Sequence, residues 1–255
     1  MKKIFFFKTK LQFFLFFIFF FILAPLFSQT LYTWQQISGN WSVVSDNKEL
    51  YLRENRGRSF NFDYSPLINH NSLINNQEVA FTSLSHTFAI NAPASSTTFF
   101  TFFNALDYRQ FYAVQFTGNA HSIHTIALIQ STIKDTTLPK QAKGNFIITT
   151  LAAKEVSLEY GTTYTLTITV QGKTISAAID NAQVLSHTLN EELEGGKIGF
   201  ASKNCIPIID NLVVYNGKEI VFADDFSKES IKKIVLQGRK LTPQEVEEMK
   251  KKKNK

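Results

Sequence analysis

The sequence predicts an all-β fold: a two-layer antiparallel jelly-roll-like β-sandwich with a short C-terminal helix. Three observations carry this expectation. Apolar residues recur at every second position, brief turn signals interrupt them, and no helical periodicity separates one strand pattern from the next, which argues against a parallel α/β sheet. The 255 residues include 44% hydrophobic and 19% charged residues, 11 Gly, 6 Pro and a single Cys. Those values exclude collagen-like, disulfide-scaffold and fully disordered chains, so stability must come from a buried core.

The first element is a leader. Of the 25 Phe, eleven fall between Phe5 and Phe27. Lys2, Lys3, Lys8 and Lys10 precede the apolar run from Leu11 to Leu23, and Ala24, Pro25 and Ser28 follow it. Basic, apolar, then small residues is the order of a secretory signal peptide. The run is shorter than the roughly 20 residues of a membrane-spanning helix, so residues 1–28 are expected to leave and Gln29 to become the mature terminus. An uncleaved anchor is the alternative. After leader cleavage no second apolar run has spanning length, and the chain is expected in the periplasm or outside the cell.

Residues 29–227 are expected to form one sandwich domain. Strand candidates are Trp41–Val44, Glu49–Arg53, Ser59–Phe62, Glu78–Ile90, Thr98–Phe103, Gln110–Thr117, Ile123–Gln130 and Asn145–Leu151. In Thr163–Val170 the odd positions are Thr while Tyr164, Leu166, Ile168 and Val170 are apolar, the mark of a half-buried strand. Gln171 and Gly172 break it before Lys173–Ile179, so the two read as a hairpin. Lys197–Ala201 is a further strand, and Ile208–Tyr215 returns as Lys218–Phe222 across Asn216-Gly217, a strong hairpin signal.

Residues 228–255 differ in character. They carry ten Lys or Arg against four Glu, whereas residues 29–227 carry thirteen against seventeen acidic residues. The overall charge of +6 therefore belongs to leader and tail, and the acidic body argues against a nucleic-acid partner. Thr242, Pro243 and Glu245 supply a capping pattern, and Lys250 to Lys253 complement the far end of the short helix they start. Such a tail is either a solubilising end or a contact for an acidic surface. Cys205 cannot form an internal disulfide and reads as a buried apolar thiol, with an intermolecular disulfide or a reactive thiol as the alternatives.

Three stretches together resemble concanavalin A-like, laminin-G-type sandwiches, most closely the branch with 3-keto-disaccharide hydrolase-type domains. They are Asp107 through Phe116, Tyr164 through Leu185 with its turn at Gly172 and its Asp180-Asn181 ending, and Gly195-Gly196-Lys197-Ile198-Gly199-Phe200 followed by Ile209-Asp210-Asn211-Leu212-Val213-Val214-Tyr215. The resemblance spans roughly Trp34 to Phe222 and implies the sandwich fold. It gives Asp210-Asn211 a structural part, in a backbone hydrogen bond or in a calcium site whose other ligands the sequence does not identify; no other cofactor is expected.

Function has to come from residues, because this fold hosts lectins, hydrolases and structural proteins alike. Glucan-cleaving members carry Glu-x-Asp-x-Glu on one strand, a spacing that places both carboxylates on one face, and this motif is missing here. Glu191, Glu192 and Glu194 precede Gly195-Gly196 and read as a solvated turn, while Asp224 and Asp225 are adjacent and face opposite ways on a strand. His121 and His124 flank a strand pattern in which odd spacing separates them. His86 follows the apolar phase of Leu84, Phe88 and Ile90 and reads as a core histidine; His70 and His187 fall in loops.

The candidate carbohydrate contacts are Tyr108, Arg109, Phe111 and Gln115. Alternation places Arg109, Phe111 and Gln115 on one face of their strand and Tyr112, Val114 and Phe116 on the other. An arginine, an aromatic ring and an amide suit stacking and hydrogen bonding to a sugar. The expected function is an exported, non-catalytic interaction module of the cell envelope, with an envelope protein or a glycan as partner. A flagellar-sheath-like structural component is one form of it by fold analogy; a saccharide-active enzyme of the keto-disaccharide hydrolase type is the alternative.

Overall fold

The computed structural model describes residues 34–36, 41–46, 49–54, 71–75, 78–91, 94–107, 109–138, 145–226 and 235–236, all within the unit running from Thr33 to Lys255. The expected leader, the strand at Ser59–Phe62, His70, Tyr108 and the C-terminal helix lie outside these residues. Among the described residues there are strands and turns but no helix.

The strands are β1 (Trp34–Gln36), β2 (Trp41–Asp46), β3 (Glu49–Glu54), β4 (Asn71–Asn75), β5 (Ser83–Asn91), β6 (Thr97–Ala105), β7 (Phe111–Gly118) and β8 (Ser122–Thr132). They continue as β9 (Ile147–Glu159), β10 (Tyr164–Gln171), β11 (Thr174–Ile179), β12 (Ala182–Thr188), β13 (Lys197–Lys203), β14 (Ile206–Asn216), β15 (Glu219–Asp224) and β16 (Val235–Leu236). One sheet has the order β16-β1-β4-β13-β6-β7-β8-β9, the other β12-β11-β10-β5-β14-β3-β2, with β15 also on β14. Every pairing is antiparallel except that of β1 with β16. The two-layer sandwich expected from the alternation is the observed architecture, and β16 shows that sheet pairing continues beyond residue 227.

Between the sheets lies an aromatic layer. Phe88 of β5 meets Phe116 of β7 at 4.7 Å and Phe99 of β6 at 5.7 Å between ring centroids. Trp34 stacks on Phe200 at 5.7 Å and touches Phe222 and Phe226. Its indole N–H donates to Asp224 Oδ2 at 2.7 Å, so the one polar atom of a buried ring is satisfied. His86, 1% exposed, sits in this layer edge-on to Phe200 at 5.1 Å. Its Nδ1 lies 3.1 Å from the Thr87 carbonyl, which can only accept, so Nδ1–H donates there, and the Thr101 hydroxyl donates to Nε2 at 2.8 Å. This is the core histidine that the sequence suggested.

The first sheet has a second apolar layer on its other face. Pairing places Phe99 opposite Phe116 and Phe100 opposite Gln115, so Phe100 and Phe102 point away from the aromatic layer. They cluster there with Ile74, Phe111, Ile129 and Ala201, all buried. In β6, seven of nine positions are buried, so this strand is covered on both sides. Cys205 is a buried thiol, 1% exposed, as expected, and its Sγ–H donates to the Thr98 carbonyl at 3.5 Å.

Several elements differ in detail from expectation. The β10–β11 hairpin pairs Gln171 with Thr174, so Gly172 and Lys173 form the turn, one residue later than expected. In the β14–β15 hairpin Asn216 pairs with Glu219, and Gly217 rather than the Asn-Gly pair takes the positive φ, +62°. β9 runs well past Leu151 to Glu159, and His187 belongs to β12 rather than a loop. The structural reading of Asp210-Asn211 has its hydrogen bonds: Asp210 Oδ1 accepts the Asn211 N–H at 2.7 Å, and Thr87 donates to the Asp210 carbonyl at 3.1 Å.

Candidate functional site

Of the four residues first expected to contact sugar, the three that are described do not form an open face. Tyr108 is outside the described residues. Arg109 and Phe111 are 4% and 3% exposed, Phe111 within the second apolar layer, and Arg109 Nη1 is buried without a hydrogen-bond partner. Gln115 is half-buried and spends its amide on Thr117 Oγ1 at 3.2 Å. The face identified by alternation is real, but apolar residues fill it.

The open polar space lies beside the opposite face of the same strand. A cleft of about 490 Å³ opens between the start of β7, the end of β8 and the connection from β12 to β13. Asp107 tightens the β6–β7 turn that carries the lining residue Gln110: its Oδ1 accepts the N–H groups of Arg109 at 2.7 Å and Gln110 at 3.0 Å. Antiparallel register then sets Tyr112 beside Phe103 on one side and Gln130 on the other. The Tyr112 ring stacks on Phe103 at 6.1 Å, and Gln130 Nε2 donates to the phenol oxygen at 2.9 Å. That leaves the phenol proton and the Gln130 carbonyl for another partner.

The β12–β13 connection forms the opposing rim and brings Glu191, Glu192 and Glu194, all exposed, to the cleft. It is tied down at both ends. Lys173 Nζ donates to the Asn190 carbonyl at 2.6 Å and the Leu189 N–H donates to the Lys173 carbonyl at 2.8 Å. At the far end Gly196 exchanges backbone hydrogen bonds with Val79 at 2.9 and 3.2 Å. Gly196 has to be glycine, because a Cβ there would fall 2.6 Å from the Asn104 carbonyl carbon. Gly195 has φ +103° and packs on the Ala80 backbone, so the Gly-Gly pair seats the acidic rim against the first sheet.

Electrostatically the cleft is negative. Burial, and then the charge of Glu191, push the Tyr112 phenol above its ordinary value, so the hydroxyl stays protonated and able to donate. Among the described residues no three His, Cys, Asp or Glu side chains converge as a metal site; His121 and His124 are both exposed. Sequence alone placed Tyr112 on the strand face opposite the candidate sugar contacts and the three glutamates in a solvated turn. The signal for the glutamates was their position just before Gly195-Gly196, a pair that permits close backbone approach; nothing local tied them to Tyr112.

No family model matches the chain, and no curated protein matches it. Among solved structures it is similar to the carbohydrate binding module CBM66 from Bacillus subtilis, with 11% identity, 72% of this chain and 95% of that one covered, and a TM-score of 0.51. The Bacillus licheniformis beta-glucanase gives 12% identity, coverages of 76% and 96% and a TM-score of 0.46. The marine PL7 alginate lyase AlyA1 from Zobellia galactanivorans gives 14% identity, coverages of 71% and 94% and a TM-score of 0.40. At such identity the likeness to the Bacillus subtilis module is one of architecture, and the chain has the concanavalin A-like jelly-roll sandwich fold.

Proposed function

We propose that this chain is an exported, non-catalytic interaction module of the cell envelope, and that the cleft between Tyr112 and the Glu191–Glu194 rim takes a saccharide. The cleft carries the proposal. It has the size of a small-ligand site, an aromatic ring, a phenol and an amide with hydrogen-bonding capacity left over, and a rim fixed at both ends. The Lys-rich start of the chain and its following apolar run support export.

The test is titration of neutral, acidic and amine-bearing oligosaccharides into the exported protein, followed by calorimetry and by analysis of the sugars for cleavage. Binding without turnover, weakened about tenfold by Gln130→Ala through loss of a hydrogen-bonding group, is the expected result. Cleavage of a bound sugar would replace the module by the saccharide-active enzyme; no binding of any sugar would remove the cleft from glycan recognition. One observation favours a protein partner at a different place. Among the described residues β9 is a 13-residue strand at the end of its sheet, with Ile147 and Ile148 47% and 45% exposed, and a sheet edge of that length is where another chain's strand can add. Cross-linking in the native envelope tests it, with β9 residues as the expected attachment points.

A further inference from the structure

Resting on the saccharide reading of the cleft, we infer that the sugar it selects carries a methyl group, as a 6-deoxy sugar or an acetylated sugar does, and that Leu106 receives that methyl. Leu106 is 60% exposed, one of five large apolar side chains left open among the described residues, and of those five it alone lines the cleft. Loose packing is not the reason. Ala105 before it and Phe111 at the other end of the turn are both buried. The Leu106 N–H donates to the Gln110 carbonyl at 3.0 Å, and the Asp107 carboxylate holds the N–H groups of Arg109 and Gln110. The turn therefore fixes the backbone that carries the leucine, so little order has to be gained when a ligand meets it.

The kind of apolar surface decides what it fits. The flat face of a pyranose ring is matched by the flat face of an aromatic ring. Of the Phe and Tyr side chains in the lining, Phe111 is 3% exposed and Tyr112 lays a face of its ring on Phe103. The other apolar side chains in the lining are aliphatic: Leu106 from the turn, Leu151 from β9, and Leu189 and Leu193 from the opposing rim. Branched chains of this kind suit a compact methyl. A methyl set against Leu106 removes apolar surface of both partners from water, whereas a hydroxymethyl in the same place sets its hydroxyl beside a group that cannot bond to it. The polar half of the ligand is served separately: the phenol proton of Tyr112 and the carbonyl of Gln130 are left over for ring hydroxyls, and His187 adds a further hydrogen-bonding group to the lining.

The experiment measures, by calorimetry on the exported protein, two matched pairs of oligosaccharides of equal length and linkage. One pair is a 6-deoxygalactose oligomer and a galactose oligomer; the other is an N-acetylglucosamine oligomer and a glucose oligomer. The methyl-bearing member of one pair is expected to bind about fourfold more tightly than its counterpart, and the pair that shows the gap identifies the source of the methyl. Leu106→Ala, a change at an exposed site, should close the gap, and Leu106→Met, which keeps an apolar side chain there, should retain most of it. Equal or weaker binding of the methyl-bearing member in both pairs, or a gap that Leu106→Ala leaves in place, overturns the assignment of Leu106 while the saccharide site stands. Failure of all four oligomers to bind overturns the saccharide site itself.

Discussion

Acidification should weaken this fold through His86 before most carboxylates matter. The ring is 1% exposed, packed among Phe88, Phe99 and Phe200, and neutral: its single N–H faces the Thr87 carbonyl and its bare nitrogen takes the Thr101 proton. Burial lowers its pKa from 6.5 to about 4, with the Thr87 hydrogen bond opposing in part. Because the folded value is the lower one, the unfolded chain takes the proton first. The stabilisation is complete above pH 6.5 and is lost as the pH falls toward 4. At pH 5 the linkage relation gives a loss of about 2 kcal/mol, and near pH 4 about 3 kcal/mol. The assay is urea unfolding at several pH values for the wild type and for His86→Leu combined with Thr101→Val, which removes both hydrogen-bonding partners together. Surface carboxylates titrate in both proteins and cancel in the difference. The wild type should lose about 2 kcal/mol more than the double variant between pH 7.5 and pH 5; parallel pH profiles would refute the account of His86 as a buried, neutral ring.

Three further outcomes follow from the packing. Gly196→Ala should cost more than about 2 kcal/mol, since its methyl meets backbone rather than a movable side chain; a urea midpoint matching the wild type would show that the rim is not held as described. Phe102→Ala should cost about 3–5 kcal/mol while Leu106→Ala, at a site 60% exposed, stays within about 0.5 kcal/mol. Equal effects would mean that the second apolar layer is not a core. Cys205, 1% exposed, should react with a thiol reagent only as fast as the protein opens, and immediate labelling of the native protein would contradict its burial.

How far the sequence could be read depended on what surrounds each strand. β10 was plain because its Thr residues are half-buried while Leu166 and Ile168 are buried, so one face differs chemically from the other. β1 and β4 are three and five residues long, too short for alternation to rise above chance, and their pairing is decided by neighbours distant in sequence. For the candidate site, alternation separated Arg109, Phe111 and Gln115 from Tyr112 correctly, yet it cannot say which face is open. The hint lay one strand earlier: Thr-Thr-Phe-Phe-Thr-Phe-Phe in β6 has large apolar residues in both phases, the pattern of a strand covered on both sides. Tyr112, Gln130 and Glu191 come together only through register across β7 and β8 and the close approach of Gly196 to Asn104. No local pattern encodes that.

The placement of Trp34 sets a timetable for folding. Its ring neighbours Phe200, Phe222 and Phe226, and its hydrogen-bond acceptor, 190 positions away, are among the last parts of the described chain to be synthesised. The β1–β16 pairing ties the same strand to residues later still. The opening strand therefore waits for the closing ones, and contacts of such long range make folding slow. On the export proposed above, a core that cannot close until its final strands have been made would keep the polypeptide pliable through transit.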